Sequence, residues 1–467
     1  MKKKKGKKVL VIVFSSLGGI IVLFLAFLGI LSIMSSNRSL DLDRSVRIEN
    51  NTGLVQQKGK ALYDKDGNYL LLRGVNAGNL LISEGWLSPY SVGEKVDEND
   101  EVILDSDKLP TYPTLPMEET ISGFNSNENL TDEQRKELID IYRANWFSES
   151  DFTFIKNMGL NMIRLPFYWR DILDENDGAF TRKSETEAFA YIDWFVSQCQ
   201  KNDLYVILDL HGAPGGQSGY EHSGDMTKAD IWKNEVYQNA AADLWKFIAY
   251  HYTNTKRDLA PNIAAYDLMN EPCSDYNDPD TSGTSVSICY PVFDKIYDAI
   301  RSENDNHVIS IEGMWSFNKF DNPDNWGWSN ILYQTHLYNW AHSYLPYWLY
   351  NDYNELMNIG HDYDVPYYIG EFTFFDDASA WQKQLTMYEK RGYSWSMWTY
   401  KASVTGWWTT TWSIYTHKLD LQNGKKKVNL KTATYDELKA GFEDTKTENC
   451  ELSNTYKYVT DFIKNNK

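Results

Sequence analysis

From about residue 60 onward, short apolar runs alternate with longer amphipathic stretches. Eight runs stand out: Arg73–Asn76, Asn161–Pro166, Leu204–Leu210, Ile263–Met269, His307–Glu312, Ile331–His336, Val365–Glu371 and Tyr393–Trp398. Continuously apolar runs of this length, bounded by Gly, Pro or Asn, predict strands buried on both faces. Between them lie helical stripes. Ala188, Phe189, Ile192, Phe195, Val196 and Cys199 share one face; Ile231, Val236, Ala240, Leu244, Ile248 and Tyr252 predict another. Thr131-Asp132-Glu133-Gln134 fits a capping box opening a helix to about Trp146, and Ser148–Asp151 opens a second to Asn157. Ala61–Leu72 predicts a hairpin turning at Asp64–Asn68, and Pro110–Asn129 an inserted loop. Eight β-then-α units predict an α/β chain forming a single (β/α)8 TIM barrel with loop insertions, over residues 58–467. An extension and a closing helix follow strand eight. There is no second domain and no short-period repeat.

The amino terminus follows a different pattern. Residues 1–8 hold six lysines, and residues 9–34 form an uncharged run. As a helix this run would be about 39 Å long at ~1.5 Å per residue, enough to span a bilayer with tilt. It is longer than a signal-peptide core, and no good small-x-small cleavage site follows. The expectation is a single-pass anchor in the cell membrane, with the lysines inside and the remainder of the chain outside; the alternative is secretion after cleavage. Residues 35–57 are polar and aperiodic and predict a stalk or linker. Asn37, Asn50 and Asn129 begin glycosylation patterns, which matter only in a eukaryotic host.

The chain carries a net charge of −19; beyond residue 8 there are 40 basic against 65 acidic residues. That surface excludes nucleic acid as a partner and suits a neutral substrate. Seventeen Trp and 32 Tyr supply flat apolar faces with polar edges, as sugar rings require, though most such residues in any fold are packing. Of the four cysteines, Cys273 and Cys289 bracket the loop after the fourth run; they are either a disulfide, worth about 3 kcal/mol, or two free thiols. Cys199 sits on a helical core face. No cysteine or histidine spacing matches a zinc site, so no metal or cofactor is expected.

Chemistry in such a barrel sits where the strands end. There the sequence places Arg164, His211, Asn270, Glu271, His336, Tyr338, Glu371 and Trp398. Any one alone is more simply a salt-bridged or core residue; their common position at strand ends changes the balance. Two glutamates at the exits of strands four and seven can face one another across the barrel mouth, as glycosidic bond hydrolysis requires.

These positions carry a resemblance. From about Leu70 to Tyr400 the chain resembles the family-5 glycoside hydrolases of the cellulase superfamily: Asn270-Glu271-Pro272 matches the acid/base motif ending strand four, and Ile369-Gly370-Glu371-Phe372 the nucleophile ending strand seven. The other positions match the family's recurring site residues. The run Arg73–Leu87, the run Asp209–Gln217, and Trp146 with Asp151-Phe152 are similar to an exo-β-1,3-glucanase branch, which implies that Glu84 contacts the sugar at the cleaved end. Phe372 departs from that branch, which has Trp after the nucleophile, and the loops 90–129 and 272–290 are individual.

The resemblance implies a retaining β-glycosidase acting on β-glucan oligo- or polysaccharides. It implies that Asn270 holds the 2-hydroxyl, that Arg164 and Tyr338 align Glu371, that His336 lies near Glu271, and that Trp398 floors the site. Trp315, Tyr168, Trp169, Trp340, Trp407 and Trp408 are candidates for neighbouring subsites, some of them core. The rival readings are another specificity on the same barrel (cellulase, mannanase, xyloglucanase or glycosylceramidase), and an inactive surface-anchored carbohydrate-binding protein.

Overall fold

The computed structural model describes residues 22–23, 26–30, 33, 43–226, 228–274, 283–342, 346–404 and 411–466. Eight parallel strands close into a barrel in chain order: β1 Arg73–Asn76, β2 Met162–Tyr168, β3 Tyr205–Gly212, β4 Ile263–Asp267, β5 Val308–Glu312, β6 Ile331–His336, β7 Tyr367–Glu371 and β8 Ser394–Met397. β8 pairs with β1 to complete the ring. The expected eight-stranded α/β barrel is present.

The helical expectations hold where local chemistry is explicit. Helix Asp132–Trp146 opens on the anticipated box: Thr131 Oγ1 accepts from the Gln134 N–H at 3.3 Å, and Gln134 Oε1 accepts from the Thr131 N–H at 2.9 Å. The stripe Ala188–Cys199 is buried within helix Glu185–Lys201. Three expectations need correction. Residues 117–125 form a helix inside the expected loop. Between β5 and β6 there are only 3-10 turns, so that unit lacks its α-helix. Val236 is exposed, because it lies in the first turn of helix Glu235–Tyr250, off the face that packs on the barrel.

The anticipated hairpin belongs to a three-stranded antiparallel sheet, Gln56–Lys58, Ala61–Tyr63 and Tyr69–Leu70. Its Leu62 and Leu70, with Val55 and Leu72, pack against Met162, Ile207, Ala264, Val308, Leu332 and Tyr368 near the strand beginnings. One end of the barrel is thereby filled with apolar side chains, leaving the other for chemistry. Described residues within the expected linker 35–57 contact the barrel domain: the Ile48 N–H donates to the Gly67 carbonyl and Arg44 reaches the Glu389 carbonyl. The expected spanning helix at residues 9–34 lies mostly outside the described residues, as does the basic tail. Among the described residues no helix is long and apolar enough to cross a membrane.

Beyond β8, strands Lys401–Val404, Tyr415–Lys418 and Glu451–Leu452 form a small sheet, and helix Asn454–Asn465 closes the chain. The Tyr400 hydroxyl donates to Asp151 Oδ1 at 2.6 Å and the Trp146 indole to the Gly78 carbonyl at 2.9 Å. Trp146 and Asp151 are therefore struts of the scaffold. Cys273 and Cys289 are not joined by a disulfide.

Candidate active site

Ladder register brings the polar positions to one level. Asn76 pairs with Arg164, Asp267 with Asp209, Glu312 with Gln334, and His336 with Glu371. Arg164, fully buried on β2, is the hub. Its Nε donates to Asp267 Oδ2 at 2.9 Å, its Nη1 to Glu371 Oε1 at 2.9 Å and Asn76 Oδ1 at 3.1 Å, and its Nη2 to Asn270 Oδ1 at 2.9 Å. Asp209 Oδ1 lies 3.1 Å from Nη2. One guanidinium thus fixes the nucleophile candidate, the neighbour of the acid candidate, and two inner carboxylates. A planar five-donor fork is suited to this, and an ammonium is not.

Gly370 precedes Glu371 for a steric reason: a Cβ there would lie 2.2 Å from Gln334 Oε1. The remaining oxygen of Glu371, Oε2, accepts from the Tyr338 hydroxyl at 2.9 Å.

Chain and ladder part after Asp267. Glu271 then adopts φ of 41°, a left-handed conformation that a non-glycine residue holds only when its surroundings impose it. Here the Asn270 N–H donates to the Leu210 carbonyl at 3.1 Å, and the Glu271 N–H to Glu312 Oε2 at 2.8 Å. Pro272 follows. The Glu271 carboxylate receives His336 Nδ1 at 2.8 Å and Trp315 Nε1 at 3.0 Å on Oε1, and His222 Nε2 at 3.1 Å on Oε2. Burial works to raise its pKa, but the charge of His222 and the bonds from His336 and Trp315 outweigh burial and hold it down to about 2.

An oxygen of Glu271, one of Glu371 and a nitrogen of His336 all lie within 4.8 Å of one another. Such a cluster is compact enough for a cation. Its oxygens are instead engaged by Arg164, Tyr338, Trp315 and imidazole donors, the donor set of a hydrogen-bonded acid pair.

These groups open into a cavity of about 400 Å³, in the lower part of the range for small-molecule sites. Of the nine residues expected from sequence, Glu84, His211, Asn270, Glu271, Tyr338, Glu371 and Trp398 line it, while Arg164 and His336 support it from below. His211 Nδ1 meets Asp209 Oδ2 at 2.7 Å, and its ring stacks on Trp398 at 5.4 Å. Burial pushes the His211 pKa down to about 3, so the ring is a neutral donor or acceptor toward ligand. Glu84 accepts from the Trp86 indole at 2.8 Å; burial and the charges of Glu221 and Glu371 push its pKa well up.

Trp315 and Trp340 also line the cavity. Tyr168 and Trp169 do not: Tyr168 donates to Glu118 at 2.6 Å, and Trp169 carries Arg170 on its face. Trp407 and Trp408 lie outside the described residues. Phe372 packs among Phe374, Trp381, Tyr388 and Trp395, away from the cavity. Sequence reasoning missed His222, Glu221, Tyr220 and Trp412, which sit in loops without periodicity, and gave Trp86 no site role. It also missed Asp209 and Asp267, although a charge inside an apolar strand run was an available signal.

Comparison with known proteins then decides the family. A cellulase (glycosyl hydrolase family 5) model matches residues 123–404, more than half of the chain. The chain belongs to glycosyl hydrolase family 5. The barrel-end cavity with its two glutamates is the candidate active site of this family-5 chain. A β-xylosidase of Phanerodontia chrysosporium is 28% identical over 293 residues, covering 61% of this chain and 52% of that protein. Glucan 1,3-beta-glucosidase 2 of Wickerhamomyces anomalus is 26% identical over 295 residues, covering 61% of each. The chain thus matches about half to three-fifths of the length of these relatives. Rutinosidase from Aspergillus niger shares the fold, with a TM-score of 0.54 and 16% identity over 73% of this chain and 95% of that one.

Proposed function

We propose that this family-5 enzyme hydrolyses β-glucosidic bonds in oligo- or polysaccharides with retention of configuration. The observation that carries this reading is the narrow gap between Glu271 and Glu371, an oxygen of each within 4.8 Å. Retaining enzymes hold their carboxyl groups about 5–5.5 Å apart, whereas inverting ones leave about 6.5–9.5 Å for a water. In this reading Glu371 attacks the anomeric carbon while Glu271 protonates the departing oxygen. Water then cleaves the glycosyl-enzyme with Glu271 as base. Arg164 and Tyr338, each bonded to a different oxygen of Glu371, hold it aimed at the cavity.

In the open site the donors around Glu271 favour its carboxylate. The proton for the first step is therefore held on the imidazole side of the cluster. When a sugar displaces water, separated charges become costlier, and Glu371 disfavours a second anion beside it. Both effects move the proton onto Glu271.

The β-glucan substrate class is supported by the glucan 1,3-beta-glucosidase relatives and by Glu84 in the cavity wall. Product analysis on laminarin-type and cellulose-type oligomers tests linkage and chain-end preference together. Retention is tested with Glu371→Ala supplied with azide, which should yield an α-glycosyl azide; a β product, or undiminished hydrolysis, rejects the assignment. Attachment to a membrane through residues 9–34 is part of the same proposal on sequence grounds. It is checked by whether the full chain sediments with membranes through a carbonate wash.

A further inference from the structure

We propose that His222 is a proton-loading residue for Glu271, reached by solvent and acting on one particular oxygen of the carboxylate. The inference rests on the acid/base reading of Glu271 and adds the route by which its proton arrives and leaves.

The two carboxylate oxygens are not equivalent. Oε1 is occupied by the His336 ring at 2.8 Å and by the Trp315 indole N–H at 3.0 Å. Two nitrogen contacts on this one oxygen leave little room for a further proton there. Oε2 faces the His222 Nε2 at 3.1 Å, so the labile proton belongs on Oε2. The two imidazoles also differ in access: the His336 side chain is fully buried, while that of His222 is 19% exposed. His222 is therefore the imidazole in this cluster that can exchange protons with water. It sits in a short 3-10 turn after β3, Glu221–Ser223, with the Tyr220 ring stacked against it at 5.6 Å and the Ser218 hydroxyl 3.3 Å from Nε2. The titratable groups facing it are Glu271, Glu221, Glu84 and Glu371 around the cavity, and the His211 ring at 6.4 Å.

The steps balance. The Nε2 proton of His222 passes to Glu271 Oε2. Glu271 gives it to the glycosidic oxygen as the C1–O bond breaks and the C1–Glu371 bond forms. In the second half, the attacking water loses a proton to Glu271 as the C1–Glu371 bond breaks, and that proton returns to His222. No other reactant is needed.

The test compares His222→Asn and His222→Ala with wild type on an alkyl glucoside and on a dinitrophenyl glucoside, across pH. General acid assistance is worth about 10²–10⁴ in rate, and a good leaving group needs little of it. The expected loss in kcat/KM is at least about tenfold greater on the alkyl than on the aryl substrate. In His222→Asn the alkaline limb should move to lower pH by about one unit or more, because a carboxylic acid then holds the proton in place of an imidazolium. Added imidazole should restore His222→Ala on the alkyl substrate. Equal losses on both substrates, with an unmoved limb and no rescue, would overturn the proposal. Glu271→Ala separates the two levels. If it shows the leaving-group split and the His222 variants do not, only the proton route fails; if it too lacks the split, the acid/base reading fails.

Discussion

Arg164→Met is the perturbation on which the site's electrostatics can be judged. In the wild type, one guanidinium with no solvent exposure is opposed by Asp209, Asp267 and Glu371, all within 3.1 Å. Methionine fills a similar volume but leaves three carboxylates facing one another. Removing one partner of a buried ion pair costs about 3–5 kcal/mol. Unfolding entropy is about 2.1 cal/mol/K per residue, or roughly 0.8 kcal/mol/K for ~400 ordered residues, so Tm should fall by about 4–6 °C. The deficit should also depend on pH. Without Arg164 nothing restrains the rise that burial already imposes on Asp209 and Asp267, so their folded-state pKa values lie above their unfolded ones. Asp209 is already pushed up to about 7 by burial, with Arg164 restraining the rise. A raised pKa means that stability is fully present below the unfolded value near 4 and is lost as pH rises through the folded one. The variant should therefore come closest to wild type near pH 4 and fall furthest behind at pH 8. Calorimetry at the two pH values measures this. A deficit below about 1 °C, or one that shrinks as pH rises, would refute the view that Arg164 offsets the inner acids. Arg164→Lys should recover most of the stability but little of kcat, because a single ammonium cannot hold Glu371, Asn270 and Asp267 together.

Tyr338→Phe removes one bond to a charged oxygen, worth about 1.5–3 kcal/mol, while retaining a ring against Trp340; kcat/KM should fall about 10- to 100-fold with little change in Tm. Burial, with the charges of Asp267 and Glu271, pushes the Glu312 pKa well above the usual carboxylate range and so favours its neutral form. Glu312→Gln should then leave stability within about 1 kcal/mol of wild type. Glu312→Leu strands the buried N–H of Glu271, at about 1–3 kcal/mol, and frees its left-handed backbone, so kcat should drop more than tenfold. Equal behaviour of the Gln and Leu variants in chemical denaturation and steady-state kinetics would remove Glu312 from that role.

The parts of this protein visible in sequence are those whose causes are local. A buried parallel strand is a continuous apolar run because both faces are covered, and a breaker after it releases the chain at the barrel rim. Asn270, Glu271, His336, Glu371 and Trp398 could therefore be located by counting strands. Arg164 was placed in the same way, near the end of the second run. What local pattern cannot encode is which rim groups meet. His222 touches Glu271 across 49 positions because two loops from neighbouring strands arch over one cavity, and neither loop has a period that aims a side chain. Glu312 was legible as a strand end but not as the residue that holds Glu271 at positive φ, since that role exists only when β4 and β5 lie side by side. The same difference in causes separates the two kinds of expectation about cysteines. A core face for Cys199 follows from helical spacing, whereas a bridge between Cys273 and Cys289 needed a distance that sequence proximity does not supply. In the proposed mechanism the reacting groups thus come from strand-end positions, and control of their protonation from loop contacts. The pH dependence of activity is accordingly expected to respond to changes at His222 that leave every strand-end position intact.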